Sequence, residues 1–273
     1  MNDIYICFYF IMNVLWMFYF FNEMIANISV RLSQASYCVQ TEWLCPTCDP
    51  SVSLDYIVEN KGSKAIQGFE TKTQSIFTSF RGSTNIENWI NNIQISKVSP
   101  YHYNSTLQVE KGFYNEYSYI KSILIDNLEI LSQKYNTNKL LIVGHSLGAA
   151  MATLFSYDIA ISFPQYTIIY LVTFGSPRLG NSLFVYDFSR QNIPTYRITH
   201  YYDIVPHLPE QVIGYIHVPN EIWYNEDNSD YKQCHDSEYM EDKLCSNSCA
   251  PIHCISTSDH LYYLNVSMGS TQC

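Results

Sequence analysis

From residue 74 onward, short continuous apolar runs alternate with longer segments whose apolar positions recur at helical spacing. The stretch 74–80 predicts a strand that ends at Arg81-Gly82. Over 114–135 the spacing predicts a helix with Ile120, Ile123, Leu124, Leu128 and Leu131 on one face. Residues 139–143 predict a strand, apolar without interruption from Leu140, short enough to be buried on both faces, and the run stops at Gly144. A helix over 149–163 is closed by Pro164, followed by a strand over 167–173, a helix over 182–190 and a strand over 195–199. Such alternation predicts an α/β fold with a mainly parallel sheet flanked by helices. Ligand sites in these sheets lie beyond the carboxyl ends of the strands, so the residues that follow them are the ones to examine.

The N-terminus has a different pattern. Between Ile4 and Phe21 only Asn13 interrupts an apolar and aromatic run, bracketed by Asp3 and Glu23, and the first cation is Arg31. The run is at the short limit of about 18 residues for a membrane span, which favours a secretory signal over a retained anchor. Small residues at Ala26, Ser33 and Ala35 bracket the expected cleavage at 26 to 36, giving a signal peptide over 1–26 and one domain over 37–273. The missing basic segment ahead of the run is a departure from the usual signal.

Composition narrows the function. Fifteen Lys+Arg against 25 Asp+Glu give a net charge of −10, and no basic cluster offers phosphates a surface, so nucleic acid is excluded as a partner. Any membrane contact would have to be hydrophobic. Nine cysteines are present, and removal of Cys7 with the signal leaves eight: Cys38, Cys45, Cys48, Cys234, Cys245, Cys249, Cys254 and Cys273. Clustered near the two ends of the mature chain, they suggest disulfide staples in an exported protein. A zinc site built on Cys45-Pro-Thr-Cys48 and Cys245 to Cys249 is disfavoured because the two spacings differ and the pairs lie far apart. Sequons at Asn27, Asn104 and Asn265 are compatible with export.

The pentapeptide Gly144-His145-Ser146-Leu147-Gly148 stands between a buried strand and a helix. A serine in a sharp strand-to-helix turn needs small flanks two residues to either side, and the turn lifts its hydroxyl above the sheet. The helix behind it directs N–H groups at a developing oxyanion, with the Leu147 N–H nearest. His145 reads as packing and not as the base. Among later acids, Asp158 and Asp187 fall within helices and read as solvated, whereas Asp203 follows the strand over 195–199 at its carboxyl edge. Histidines after it are His207, His217, His235, His253 and His260, and chain order by itself favours His260 only weakly. No histidine spacing of the H-E-x-x-H type is present, so neither a metal nor a cofactor is expected.

Taken together, Phe80-Arg81-Gly82-Ser83, Asn88-Trp89-Ile90, Lys111-Gly112-Phe113, the pentapeptide, Thr173-Phe174-Gly175-Ser176-Pro177-Arg178-Leu179-Gly180, Asp203-Ile204-Val205-Pro206-His207-Leu208-Pro209 and Asp259-His260-Leu261 resemble the class 3, fungal-type triacylglycerol lipases. The resemblance spans about residues 40 to 273. It implies an α/β-hydrolase fold, a triad of Ser146, Asp203 and His260, and an oxyanion hole in which Ser83 joins Leu147. Glu110 departs from the family, which often has histidine before Lys-Gly-Phe, and this puts in doubt a supporting contact near the oxyanion loop. Terminal clustering and the family arrangement together suggest Cys38 with Cys273 and Cys45 with Cys48. Cys234 with Cys245 and Cys249 with Cys254 is the expectation for the remainder, with other pairings open.

Ile86, Trp89, Ile90 and Ile93 form an apolar stripe opposite Glu87, Asn88, Asn91 and Asn92. Read alone it is a surface helix packed on the core; its likeness to the family's lid makes it a mobile cover. The function expected is a secreted serine hydrolase of lipid esters, triacylglycerol first, working as a monomer at an oil–water interface without a dedicated protein partner. Phospholipase A1 or soluble and aryl esterase activity on the same scaffold, and a non-catalytic lipid-binding homologue, are the alternatives.

Overall fold

A computed structural model of the protein describes residues 21–93, 95–237, 240–250 and 252–273. Helix α1 (Glu23–Cys38) precedes a hairpin of β1 (Val52–Asn60) and β2 (Ser63–Glu70), then β3 (Ser75–Phe80), α2 (Ile86–Asn91) and a short pair, β4 (Lys97–Val98) with β5 (Val109–Glu110). Next come α3 (Lys111–Ser118), α4 (Lys121–Tyr135), β6 (Lys139–His145), α5 (Leu147–Ser162), β7 (Thr167–Phe174), α6 (Ser182–Ser189) and β8 (Thr195–His200). The chain finishes with β9 (Glu221–Tyr224), β10 (Tyr231–Gln233), α7 (Thr257–His260) and a second short pair, β11 (Tyr262–Tyr263) with β12 (Val266–Ser267).

One sheet runs in the order β1-β2-β3-β6-β7-β8-β9-β10. Strands β3, β6, β7, β8 and β9 are parallel neighbours, and the edges are antiparallel. Burial on both faces explains why β6 is apolar from Leu140 to Val143. Leu140 and Ile142 join the core formed with α3, α4 and α5, while Leu141 and Val143 face the core formed with α1. The mainly parallel α/β sheet read from the sequence is present.

Three expectations change. The helix over 114–135 is two helices, broken at Tyr119-Ile120, and Ile123 is 42% exposed whereas Ile120, Leu124, Leu128 and Leu131 are fully buried. At about 100° per residue the buried four lie within one arc, and position 123 points well to one side of it. Asp158 is not solvated: it is buried, accepting from the Tyr117 hydroxyl at 2.7 Å and pairing with Lys121, while Asp187 is half-buried and accepts from the Tyr157 hydroxyl. Helix faces in a two-sided sheet are covered, so an acid there needs a donor.

Helix α1 spans the expected cleavage region. The Asn22 side chain caps it by accepting from the N–H groups of Met24 and Ile25, and Ile25, Ala26, Val30, Leu32 and Ala35 are buried against the sheet. A cut from 26 to 36 would remove the cap and part of this core. The apolar run through residue 20 lies outside the described residues.

Candidate active site

Strand β6 is central, and its register with β3 sets Gly144 beside Phe80. Strands β3 and β6 therefore deliver Ser83 and Ser146 to the same sheet edge. Ser146 has φ 59° and ψ −130°, a backbone conformation that side chains rarely adopt, and α5 starts at the next residue. A Cβ on Gly144 would sit 2.2 Å from the Gly148 carbonyl oxygen, which is why the turn accepts only glycine there. Ser146 is buried, and its Oγ has no hydrogen-bond partner among the described residues.

Asp203 follows β8, and His260 ends α7. Between them Nδ1 of His260 donates to the carboxylate, at 3.0 Å to Oδ1 and 2.9 Å to Oδ2. With Nδ1 donating, Nε2 carries the lone pair, and it too has no partner. Burial pushes the Asp203 carboxyl up, but His260, the Tyr263 hydroxyl and the Val205 N–H pull harder and hold it below its ordinary value. Asp203 is thus an anion fixed by three donors. The structure brings Ser146, Asp203 and His260 to one edge of the sheet and gives His260, of the five histidines left open, the contact with Asp203. His235 and His253 are exposed, His217 donates from Nε2 to the Pro206 carbonyl at 2.6 Å, and His207 has no carboxylate partner among the described residues.

Leu147 opens α5, which leaves its N–H at a helix start free of an intrahelical acceptor. The Ser83 hydroxyl donates to the Asn85 carbonyl at 3.1 Å and receives the Asn85 N–H at 3.3 Å. It would have to leave that carbonyl to donate to an oxyanion. Glu110 is buried as the N-cap of α3, accepting from the Phe113 N–H at 2.6 Å, and burial pushes its carboxyl up. In place of histidine it holds the start of α3.

Helix α2 is capped by Asn85, and none of its residues is buried. Ile86, Trp89 and Ile90 are half-buried on the helix, while Ile93 lies past its end. Trp89 and Ile93 pack on the core, and the Trp89 ring stacks on Phe113 with centroids 5.9 Å apart.

Sequence reasoning passed over Gly175. It has φ +55°, and a Cβ there would lie 2.8 Å from both Asp203 Oδ2 and His260 Nδ1. Only hydrogen lets the Asp–His pair close over β7, and its place directly after a buried strand was the signal available.

The cysteines pair as Cys38–Cys273, Cys45–Cys48, Cys234–Cys245 and Cys249–Cys254. The clusters with metal-ligand proximity, His207 with Cys249 and Cys254 and Glu221 with Cys234 and Cys245, are built on these oxidised cysteines, which offer no thiolates. Cavities of about 290 Å³ beside α1 and about 260 Å³ beside β9 and β10 are lined by none of Ser146, Asp203 and His260. No helix among the described residues is long and apolar enough to cross a membrane.

Residues 77–213 match the family model described as lipase (class 3). A lipase from Rhizomucor miehei is 32% identical over 253 residues, covering 87% of this chain and 67% of the relative. The secreted mono- and diacylglycerol lipase A of Penicillium cyclopium is 30% identical over 213 residues, 77% of this chain and 67% of its own length. Among solved structures, lipase II from Rhizopus niveus superposes with a TM-score of 0.84 at 27% identity, covering 91% of this chain and 96% of that one. The curated Rhizopus niveus lipase is matched over only 58% of its length.

Proposed function

We propose, from the premise that this chain belongs to the class 3 lipase family, that it is a secreted serine hydrolase of acylglycerol esters. The observation that carries the mechanism is the pair of buried, unpartnered atoms, Ser146 Oγ and His260 Nε2, beside an Asp203–His260 hydrogen bond. His260 Nε2 takes the hydroxyl proton as Oγ attacks the ester carbonyl, and Asp203 stabilises the imidazolium that forms. The Leu147 N–H and Ser83 receive the oxyanion. His260 then protonates the departing alcohol, and water enters by the reverse path to release the fatty acid and free Ser146.

Export is part of this reading, supported by the four disulfides and by a relative named as secreted. Processing ahead of Asn22 keeps the capped helix α1 whole, and N-terminal sequencing of the exported protein reads it directly. Relatives named for mono- and diacylglycerol make partial glycerides the second substrate class.

Emulsified triacylglycerol, diacylglycerol, phospholipid and a soluble ester, each assayed with wild type and Ser146→Ala, test the proposal. The expected result is highest turnover on acylglycerols and a loss of about 10⁴-fold or more in the variant with folding intact. Ester turnover retained by Ser146→Ala would overturn the mechanism; preference for phospholipid would overturn the substrate class alone.

A further inference from the structure

His145 makes contacts that packing does not require. Its Nε2 lies 2.8 Å from the main-chain oxygen of His260, its Nδ1 2.8 Å from the Tyr37 hydroxyl, and its ring centroid 4.5 Å from that of His260 at a 31° tilt. The carbonyl can only accept, so Nε2 carries the proton. Burial pushes His145 down to about 3, so the ring is neutral and Nδ1 accepts from Tyr37. The Tyr37 oxygen also lies against Gly82, where a Cβ would sit 2.2 Å from it. Each proton in the chain thus has one direction. The bonds join α1, the residue before the nucleophile and the backbone of the base, across separations of 108 and 115 residues.

We propose that His145 and Tyr37 are positioning residues for His260: the neutral imidazole fixes the backbone and ring plane of the base so that Nε2 meets Ser146, and the tyrosine holds that imidazole in the tautomer able to do so. The logic is that of partners which orient a functional histidine from outside the reacting atoms. An aromatic spacer of the same shape would keep the tilted ring contact with His260 but leave its carbonyl without a donor, and the base would then sample orientations that do not reach Oγ. The inference rests on the serine mechanism proposed above.

The test compares kcat and KM on a soluble short-chain ester for wild type, Tyr37→Phe, His145→Phe, His145→Gln and Ser146→Ala. Phenylalanine at 145 keeps a ring and deletes both hydrogen bonds, whereas glutamine offers an amide N–H to the His260 carbonyl and an amide oxygen to Tyr37. We expect kcat to fall about 10- to 100-fold in His145→Phe, the cost of a misaimed catalytic group, with KM within about twofold. His145→Gln should recover most of that loss, and Tyr37→Phe should show a smaller drop confined to kcat. A wild-type kcat in His145→Phe, a glutamine variant no better than phenylalanine, or losses that appear in KM would each overturn the positioning role. Should His145→Phe not fold, Tyr37→Phe decides alone, since it removes one oxygen: unchanged kcat overturns the proposal. Turnover in Ser146→Ala would instead remove the mechanism beneath it.

Discussion

On one side of the Asp203–His260 pair the buried polar atoms are held by neutral partners, and on the other by full charges. His145 and Tyr37 serve the His260 backbone, and the Tyr263 hydroxyl serves Asp203. Beneath the loop that follows Asp203, Arg178 binds Glu241 through Nε and Nη2 at 2.7 and 2.9 Å and donates from Nη1 to the carbonyls of His207 and Pro209 at 2.6 and 3.1 Å. Arg197 binds Asp236 at 2.7 Å and lies 3.5 Å from Glu221. Asp236 and Glu241 both come from the segment closed by Cys234–Cys245. The difference follows from what each side must permit. A fixed cation 4.5 Å from the His260 ring would oppose its protonation by about 4 kcal/mol at an effective dielectric near 20, so the partner beside the base has to stay neutral. The loop carbonyls undergo no change of charge in the reaction, and paired charges can hold them.

The largest expected effect comes from breaking the ionic side. Arg178→Met leaves Glu241 buried without its partner and the carbonyls of His207 and Pro209 without their donor, and should cost about 3–5 kcal/mol in urea unfolding. Tyr37→Phe removes one hydroxyl from a neutral contact and should cost about 1–2 kcal/mol. Equal losses in the two variants would dissolve the contrast.

Acid should act on both regions, through their buried neutral rings first and the paired carboxylate after. Burial lowers His145 to about 3 and His207 to about 4, so below the ordinary value of 6.5 the unfolded chain binds protons that the native chain refuses. Stability contributed by these neutral rings is therefore complete above about pH 6.5 and is lost as pH falls toward 4 and then 3. Glu241 is pushed up by burial, but His217 and Arg178 overcome this and hold it well below its ordinary 4.5. Its contribution has the same sign and is lost only below that value. Urea midpoints measured from pH 8 down to 4 should begin to fall below about 6.5 in both wild type and Arg178→Met, while the further fall below about 4.5 should shrink in the variant. A wild-type midpoint that stays flat down to pH 4.5 would remove the neutral histidines from the account.

The smallest effect concerns α2, which has no buried residue and leans on Phe113 through Trp89. Trp89→Ala should lower the rate gain at an emulsion surface severalfold, because a large side chain entering lipid contributes about 1.5–3 kcal/mol, while turnover of dissolved ester is largely kept. Equal impairment on dissolved and emulsified ester would make α2 a fixed part of the scaffold.

Much of the site was legible because its signals are local. Backbone sterics within five residues dictate Gly144-His145-Ser146-Leu147-Gly148, and the Gly144 Cβ clash shows the reason. Asp203 was legible from its place after β8. The base was legible only through the family resemblance of Asp259-His260-Leu261, since five histidines follow Asp203 and chain order alone does not choose among them; the fold places His260 on the carboxylate. The two hydrogen bonds of the buried His145 were not legible, because the pentapeptide says nothing of a tyrosine 108 residues earlier or a carbonyl 115 residues later.

What the sequence determined by itself is whatever depends on neighbours along the chain: the apolar strands of the parallel sheet, the helices between them, the elbow and its first N–H donor. Tertiary structure decided the rest. It docked α1 across a region that small residues mark for cleavage, buried Asp158 where helix position suggested solvent, and set two arginines opposite carboxylates carried by a disulfide loop. A hydrogen bond or ion pair between distant segments leaves no period or spacing in the chain; its energy depends on burial and direction, which exist only after the sheet has closed.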